Sequence, residues 1–106
     1  MPSSFSASQL ESIAHVLTQA SPLEREVWQA LLDIPFGETR TYQAIAQAVG
    51  RPSAVRAVAS AIGRNPLAPL IPCHRVLRKD GTLGGYSASG GIATKKALLR
   101  AEGIDV

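Results

Sequence analysis

The chain has 106 residues, enough for one compact core and too few for two domains. Hydrophobic residues make up 45% of it and aromatics only 5%, an ordinary globular balance in which every aromatic side chain merits separate attention. The formal charge of +3 suits a polyanionic partner and a plain basic surface equally well. One cysteine with two histidines, however, excludes an internal disulfide and a tetrahedral structural zinc site.

No apolar run approaches the length of a membrane span. Met1 to Leu10 also lacks the basic flank and apolar stretch of a signal peptide. A soluble cytoplasmic protein is expected. Residues 1–7 are Ser-rich, and Ser8 to Gln19 carries Leu10, Ile13, Val16 and Leu17 at helical spacing. Residues 1–20 therefore read as a short N-terminal segment holding one helix, ahead of a single domain over 21–106. That domain opens on Ser21-Pro22-Leu23-Glu24, which combines a Ser N-cap, Pro at the first helical position and Glu three residues after the cap. The helix is expected to run to about Asp33 and to bury Leu23, Val27, Trp28, Leu31 and Leu32.

Ile34 to Arg40 is a turn-rich connector. Thr41 to Val49 reads as a helix stopped by Gly50; Arg51-Pro52 turns, and Ser53 is placed to cap a further helix over Ala54 to Ile62. Two short helices rich in small residues around a tight turn read as a helix-turn-helix, with the second helix presented to DNA. Prolines 66, 69 and 72 exclude regular helix from Asn65 to Pro72. Arg75 to Arg78 is strand-like, and the Asp80-Gly81 turn predicts that Leu83 to Tyr86 pairs back as a small hairpin wing. After the loop Ser87 to Gly91, Ile92 to Ala101 forms the last helix, ended by Gly103. The fold class is mostly α, a winged helix-turn-helix with a β-hairpin wing.

Taken alone, a Cys in Leu70-Ile71-Pro72-Cys73 is more often buried packing than a nucleophile. His74 is a candidate to take the thiol proton, directly or through one water, although neighbours on a strand face opposite ways. Arg51, Arg64, Arg75, Arg78 and Lys79 are candidates for phosphate contacts, whereas Lys95, Lys96 and Arg100 read equally well as solvated helix surface. His15 reads as a surface helix residue.

Asn65-Pro66 followed by Ile71-Pro72-Cys73-His74-Arg75-Val76 resembles the signature of the O6-alkylguanine-DNA alkyltransferases. The six-residue run is highly specific. Agreement extends from about Leu23 to Gly103 through Phe36-Gly37-Glu38, Tyr42-Gln43, Val55-Arg56-Ala57-Val58, Gly81 and Tyr86-Ser87. The chain is most similar to the C-terminal repair domain of the bacterial adaptive-response regulator and its free-standing relatives. The resemblance implies DNA repair by irreversible transfer of an alkyl group from guanine O6 to Cys73, with no cofactor and no metal. The implied partner is double-stranded DNA containing O6-alkylguanine, bound by a monomer.

The resemblance also implies roles for individual residues. His74 acts as the base through water, and Glu102 orients and polarises it, in a Cys-His-carboxylate arrangement. An acid at a helix C-terminus fits the macrodipole poorly, which agrees with a special role for Glu102. Asn65 ties the active-site turn to the helix-turn-helix. The carbonyls of Cys73 and Val76 and the N–H of Ser87 read the guanine edge, and Tyr86 stacks on the flipped base. Tyr42 presses on the 3′ phosphate, and Arg56 fills the space the base vacates. The small residues Ala54, Ala57, Ala59, Ser60 and Ala61 let the Arg56 helix approach the DNA backbone closely.

Two features depart from the family pattern. Members commonly carry a further N-terminal domain where this chain has about twenty residues, and Tyr86 to Gly91 holds two residues more than the usual Tyr-Ser-Gly-Gly run. A non-catalytic relative that binds O6-alkylguanine and signals to other repair machinery is the alternative, but such relatives typically lack the Cys. A plain winged-helix transcription factor leaves Pro72-Cys73-His74-Arg75 unexplained.

Overall fold

A computed structural model of the chain describes residues 5–86 and 90–106. Its described residues form five α-helices and one two-stranded sheet: α1 (Ala7–Gln19), α2 (Pro22–Leu32), β1 (Arg40–Thr41), α3 (Tyr42–Ala48), α4 (Val55–Gly63), a 3₁₀ turn (Cys73–Arg75), β2 (Val76–Leu77) and α5 (Gly91–Ala101).

The first two helices begin as their sequences dictate. Ser6 and Ser21 each accept the N–H of the third helical residue, Gln9 or Glu24, whose side chain returns a bond to the cap N–H. Each box satisfies two N–H groups that a helix start leaves orphaned. α3 is capped by Thr41, whose hydroxyl accepts the Ala44 N–H at 3.0 Å. It stops at Gly50, which takes φ +73° while Arg51 N–H reaches back to Ala46 O at 2.8 Å. That six-to-one bond is the Schellman closure which favours glycine.

α4 departs from expectation. Its N-cap is Ala54, without a side-chain cap bond, rather than Ser53. The Ala54 N–H is taken by Arg51 O at 3.0 Å, so a turn over 51–54 carries Ser53 outside the capping position.

The core joins α2, α3 and α4. Val27, Trp28 and Leu31 pack with Ile45, Ala46, Val58, Ala61 and Ile62, and Ile71, Cys73 and Val76 close the same cluster. Leu23 and Leu32, expected to be buried, are only partly so. Trp28 Nε1 donates to Ala61 O at 2.8 Å, so the indole fixes α2 against the end of α4 without leaving its N–H unsatisfied. α1 buries only Ile13 fully and lays Val16 and Leu17 on the same core.

The sheet is not the expected hairpin. β2 pairs in parallel with β1, Arg40 opposite Val76 and Thr41 opposite Leu77, and 83–86 forms no strand. The turn itself does close, with Arg78 N–H on Thr82 O at 2.9 Å. Beyond it the chain leaves the ladder, because Gly84 takes φ +69° and the carbonyls of Leu83 and Gly85 are claimed by Lys95. The parallel pairing has a functional consequence: it brings the start of α3 beside the segment that follows Cys73.

Candidate active site

The cysteine is presented by a short series of backbone turns. Asn65 Oδ1 accepts the Leu67 N–H at 3.0 Å, and Asn65 Nδ2 donates to Ile71 O at 2.7 Å. The same Ile71 carbonyl accepts the Cys73 N–H at 2.8 Å across Pro72, whose φ −81° and ψ 65° are those of an inverse γ-turn. Cys73 then opens the 3₁₀ turn, held by Arg75 N–H on Pro72 O at 3.1 Å. Because the segment is a helical turn and not a strand, Cys73 and His74 are not forced to opposite faces. Burial pushes the Cys73 thiol up, while the Asn65 side chain and the Lys95 ammonium pull it down. With the upward shift dominant, the thiol keeps its proton at neutral pH and needs a base to become a nucleophile.

A base stands beside it in sequence. His74 is 2% exposed and its Nε2 lies 2.6 Å from Glu102 Oε2. A carboxylate only accepts, so the ring proton belongs on Nε2 and the neutral ring carries its lone pair on Nδ1. Among the described residues, Nδ1 has no hydrogen-bond partner. Burial lowers the His74 pKa; Glu102 acts to raise it, and Arg75 and Lys95 act to lower it.

Glu102 reaches this position because α5 ends there. It is the C-cap residue, and Gly103, at φ +83°, lets Ile104 N–H return to Leu99 O at 3.0 Å in a second Schellman closure. The carboxylate also accepts Arg75 Nε at 2.8 and 3.1 Å and the Gly37 N–H at 2.9 Å. Burial favours its protonated form, but the bonds from Arg75, His74 and Gly37 outweigh that and hold it below the usual carboxylate range.

Arg75 is thus not a phosphate contact. It is 8% exposed, paired with Glu102, and its Nη1 donates to Ile34 O at 2.8 Å. Its guanidinium stands 5.7 Å from the centroid of the Phe36 ring. With Nε on Glu102, Nη1 on Ile34 O and the side chain only 10% exposed, the guanidinium is committed to interior partners.

Lys95 is the residue that sequence reasoning missed. Rather than solvated surface, it is fully buried. Its Nζ donates to Val76 O at 2.7 Å, to Leu83 O and to Gly85 O at 3.2 Å, and it lies 5.8 Å from the centroid of the Tyr42 ring. Burial lowers its pKa to about 8, and Cys73 acts to raise it. A signal was present. Lys95 stands four residues before buried Leu99 on α5, on the stripe that faces the core.

The structure opens a cleft of about 830 Å³ between α3, α4 and the segment after β2. Cys73, Tyr42, Arg56 and Tyr86 all line it, with Arg78 and Lys79 beside them. Tyr42 is the first residue of α3, and its hydroxyl would come within 3.0 Å of a Cβ placed at Gly84, so this wall of the cleft requires glycine there. Asn65, Val76, Arg51 and Arg64 do not line the cleft. Asn65 supports the turn behind Cys73. Val76 is buried, its carbonyl accepting from Lys95. Arg51 pairs with Glu26 at 3.0 Å and Arg64 with Glu24 at 2.7 Å, both arginines remaining about half exposed. Ser87 lies outside the described residues. His15 is exposed, as expected.

A buried thiol lining a cleft, followed in sequence by a histidine held on a carboxylate and faced by the short helices α3 and α4, defines a mostly helical, cysteine-centred domain. Comparison with known proteins gives the family. The DNA-binding domain of 6-O-methylguanine DNA methyltransferase matches residues 22–104, and the chain belongs to that family. It is 50% identical over 86 residues to a methylated-DNA–protein-cysteine methyltransferase of Salmonella typhimurium, covering 81% of this chain and 49% of the relative. The chain therefore spans about half the length of that relative. Among solved structures it is similar to the Mycobacterium tuberculosis OGT in complex with DNA, with TM-score 0.76 and 49% identity over 80% of this chain and 51% of that one. It is also similar to Schizosaccharomyces pombe Atl1 in complex with damaged DNA containing O6-carboxymethylguanine, with TM-score 0.72 and 32% identity over 82% of this chain and 81% of that one. Among the described residues no helix is long and apolar enough to cross a membrane.

Proposed function

We propose that this chain, with residues 21–106 as its working domain, repairs O6-alkylguanine in double-stranded DNA by moving the alkyl group onto Cys73. The observation that carries the reading is that Cys73 lines an open cleft and is followed in sequence by a buried His74 held 2.6 Å from Glu102. His74 Nδ1 takes the thiol proton through one water. The thiolate attacks the alkyl carbon, the S–C bond forms, and the C–O6 bond breaks with its electron pair staying on guanine. The proton given up by the thiol balances the one that guanine regains. A thioether offers no easy leaving group, so each molecule reacts once.

Guanine O6 is out of reach inside a duplex, so the base must be turned out of the stack. In this reading Tyr42 presses on the flanking phosphate, Arg56 fills the gap, and Tyr86 stacks on the extruded base. The Cys73 and Val76 carbonyls and the Ser87 N–H read its edge. Asn65 holds the Cys73 turn and moderates its thiol. Arg51, Arg64, Arg78 and Lys79 meet phosphates, and the protein acts as a monomer without cofactor in the compartment that holds DNA.

The test is the mass of the Cys73 peptide after mixing with O6-methylguanine duplex. A gain of one methyl, absent in Cys73→Ala, is expected. Unmodified Cys73 despite tight binding of the damaged duplex would sink the catalytic reading and leave damage recognition alone.

A further inference from the structure

The buried Arg75–Glu102 contact has no counterpart in the steps just described. A carboxylate 2.6 Å from an imidazole can do two opposed things. It can orient the ring by accepting its N–H, or it can capture a second proton onto the ring as a tight imidazolium–carboxylate pair. The second outcome disables a base, because an imidazolium has no free lone pair. Which occurs depends on what else the carboxylate holds.

Here it holds a great deal. Arg75 Nε contacts both Glu102 oxygens, at 2.8 and 3.1 Å. The Arg75 side chain is itself fixed by Ile34 O through Nη1 and stands over the Phe36 ring. Gly37 N–H, bonded to Oε1, is the third donor to the carboxylate after His74 and Arg75. The Glu102 side chain is 6% exposed and the His74 side chain 3%, so water screens neither.

We propose that Arg75 is a positioning residue for alkyl transfer: by gripping both oxygens of Glu102 it lets the carboxylate orient His74 while leaving the ring free of a second proton. The inference rests on the reading of His74 as the base. The charged groups acting on His74 all agree with it. Among the described residues, Glu102 at the end of α5 favours the imidazolium, while Arg75 on its own turn and Lys95 on α5 both disfavour it. The connector packed against Glu102 contributes the Gly37 N–H and Ile34 carbonyl, which carry no charge.

The chain holds only two histidines, and His15 is exposed and remote in sequence, so nuclear magnetic resonance can follow the His74 ring against an internal reference. The experiment titrates both rings in the full chain and in Arg75→Gln and Arg75→Lys. Alongside, the rate of Cys73 methylation by O6-methylguanine duplex is measured across pH. In Arg75→Gln, His74 is expected to titrate about one pH unit higher, as for a carboxylate partner freed of its cation, and the acid limb of the rate profile should move up with it. Arg75→Lys keeps a charge but loses the Nη1 bond to Ile34 O that fixes the side chain, so a smaller rise in the same direction is expected. Either variant, if folded, overturns the proposal when His74 titrates at the wild-type position. A rise in the ring titration with an unmoved acid limb would remove His74 from its place as the base and with it overturn a role for Arg75 in alkyl transfer, leaving Arg75 only a hold on the ring.

Discussion

Lys95 acts on both the fold and the thiol. Its ammonium has three donors and finds three carbonyls, Val76, Leu83 and Gly85, so one side chain stitches β2 to the wall of the cleft. It is also the cation that pulls down a thiol otherwise raised by burial. Lys95→Met keeps the length and removes both effects. The carbonyls left without a donor should destabilise the fold by roughly 1–3 kcal/mol, read as a fall in the thermal midpoint. The pH midpoint for iodoacetamide labelling of Cys73 should move upward, since removing a nearby cation disfavours a thiolate. A midpoint that stays put would show that the ammonium does not act on the sulfur. Lys95 and Arg75 were hard to read in the sequence for one reason: a charged residue is solvated by default, and only its partners make it otherwise. Cys73 and His74 stood out as the single cysteine and one of two histidines, whereas their joint role, and any role for Glu102 among five glutamates, came only from the family signature around Pro72-Cys73-His74-Arg75. The Arg75 partner Glu102 lies 27 residues away, and no local pattern announces such a contact.

Among the elements, α4 joins fold and proposed function. Its inner face carries Val58, Ala61 and Ile62 into the core, and Trp28 is bonded to its last turn through Ala61 O. Its outer face carries exposed Arg56 into the cleft that Cys73 shares. Because the core face is unaffected, Arg56→Ala should leave the melting temperature nearly unchanged. It should slow repair of O6-methylguanine in duplex by roughly tenfold or more, since holding an unstacked base out costs a few kcal/mol. Reaction with free O6-benzylguanine should be spared; equal loss on both substrates would mean that Arg56 shapes the site rather than opening the DNA. The helices were readable in advance because caps and apolar periodicity are local. The hairpin was misread because pairing is not local. The Asp80-Gly81 turn forms as expected, but the strand that would complete it loses its carbonyls to Lys95, and β2 finds its partner 36 positions away at Arg40 instead.

At the scale of the whole molecule, charge is distributed so that part of the basic surface is already occupied. Arg51 and Arg64, two of the arginines assigned to phosphate, are held by Glu26 and Glu24 of α2. A phosphate meeting either arginine therefore competes with a carboxylate already bound to one of its nitrogens. Solvent-screened surface pairs of this kind contribute little to stability, so they can be removed at little cost to the fold. Glu24→Gln even keeps an acceptor for the Ser21 capping box, to which Glu24 Oε1 is bonded at 3.0 Å. The double variant Glu24→Gln/Glu26→Gln frees both guanidiniums and raises the net charge by two. It should bind duplex DNA several-fold more tightly at low salt. Each additional phosphate neutralised steepens the slope of log affinity against log salt by about 0.9, so the double variant should be steeper by between about 0.9 and 1.8. A fluorescence-anisotropy titration at several salt concentrations reads both quantities. An unchanged slope, with affinity raised only by the added net charge, would place Arg51 and Arg64 off the DNA path and leave Arg78 and Lys79, beside Cys73 in the cleft, as the cations that meet the backbone.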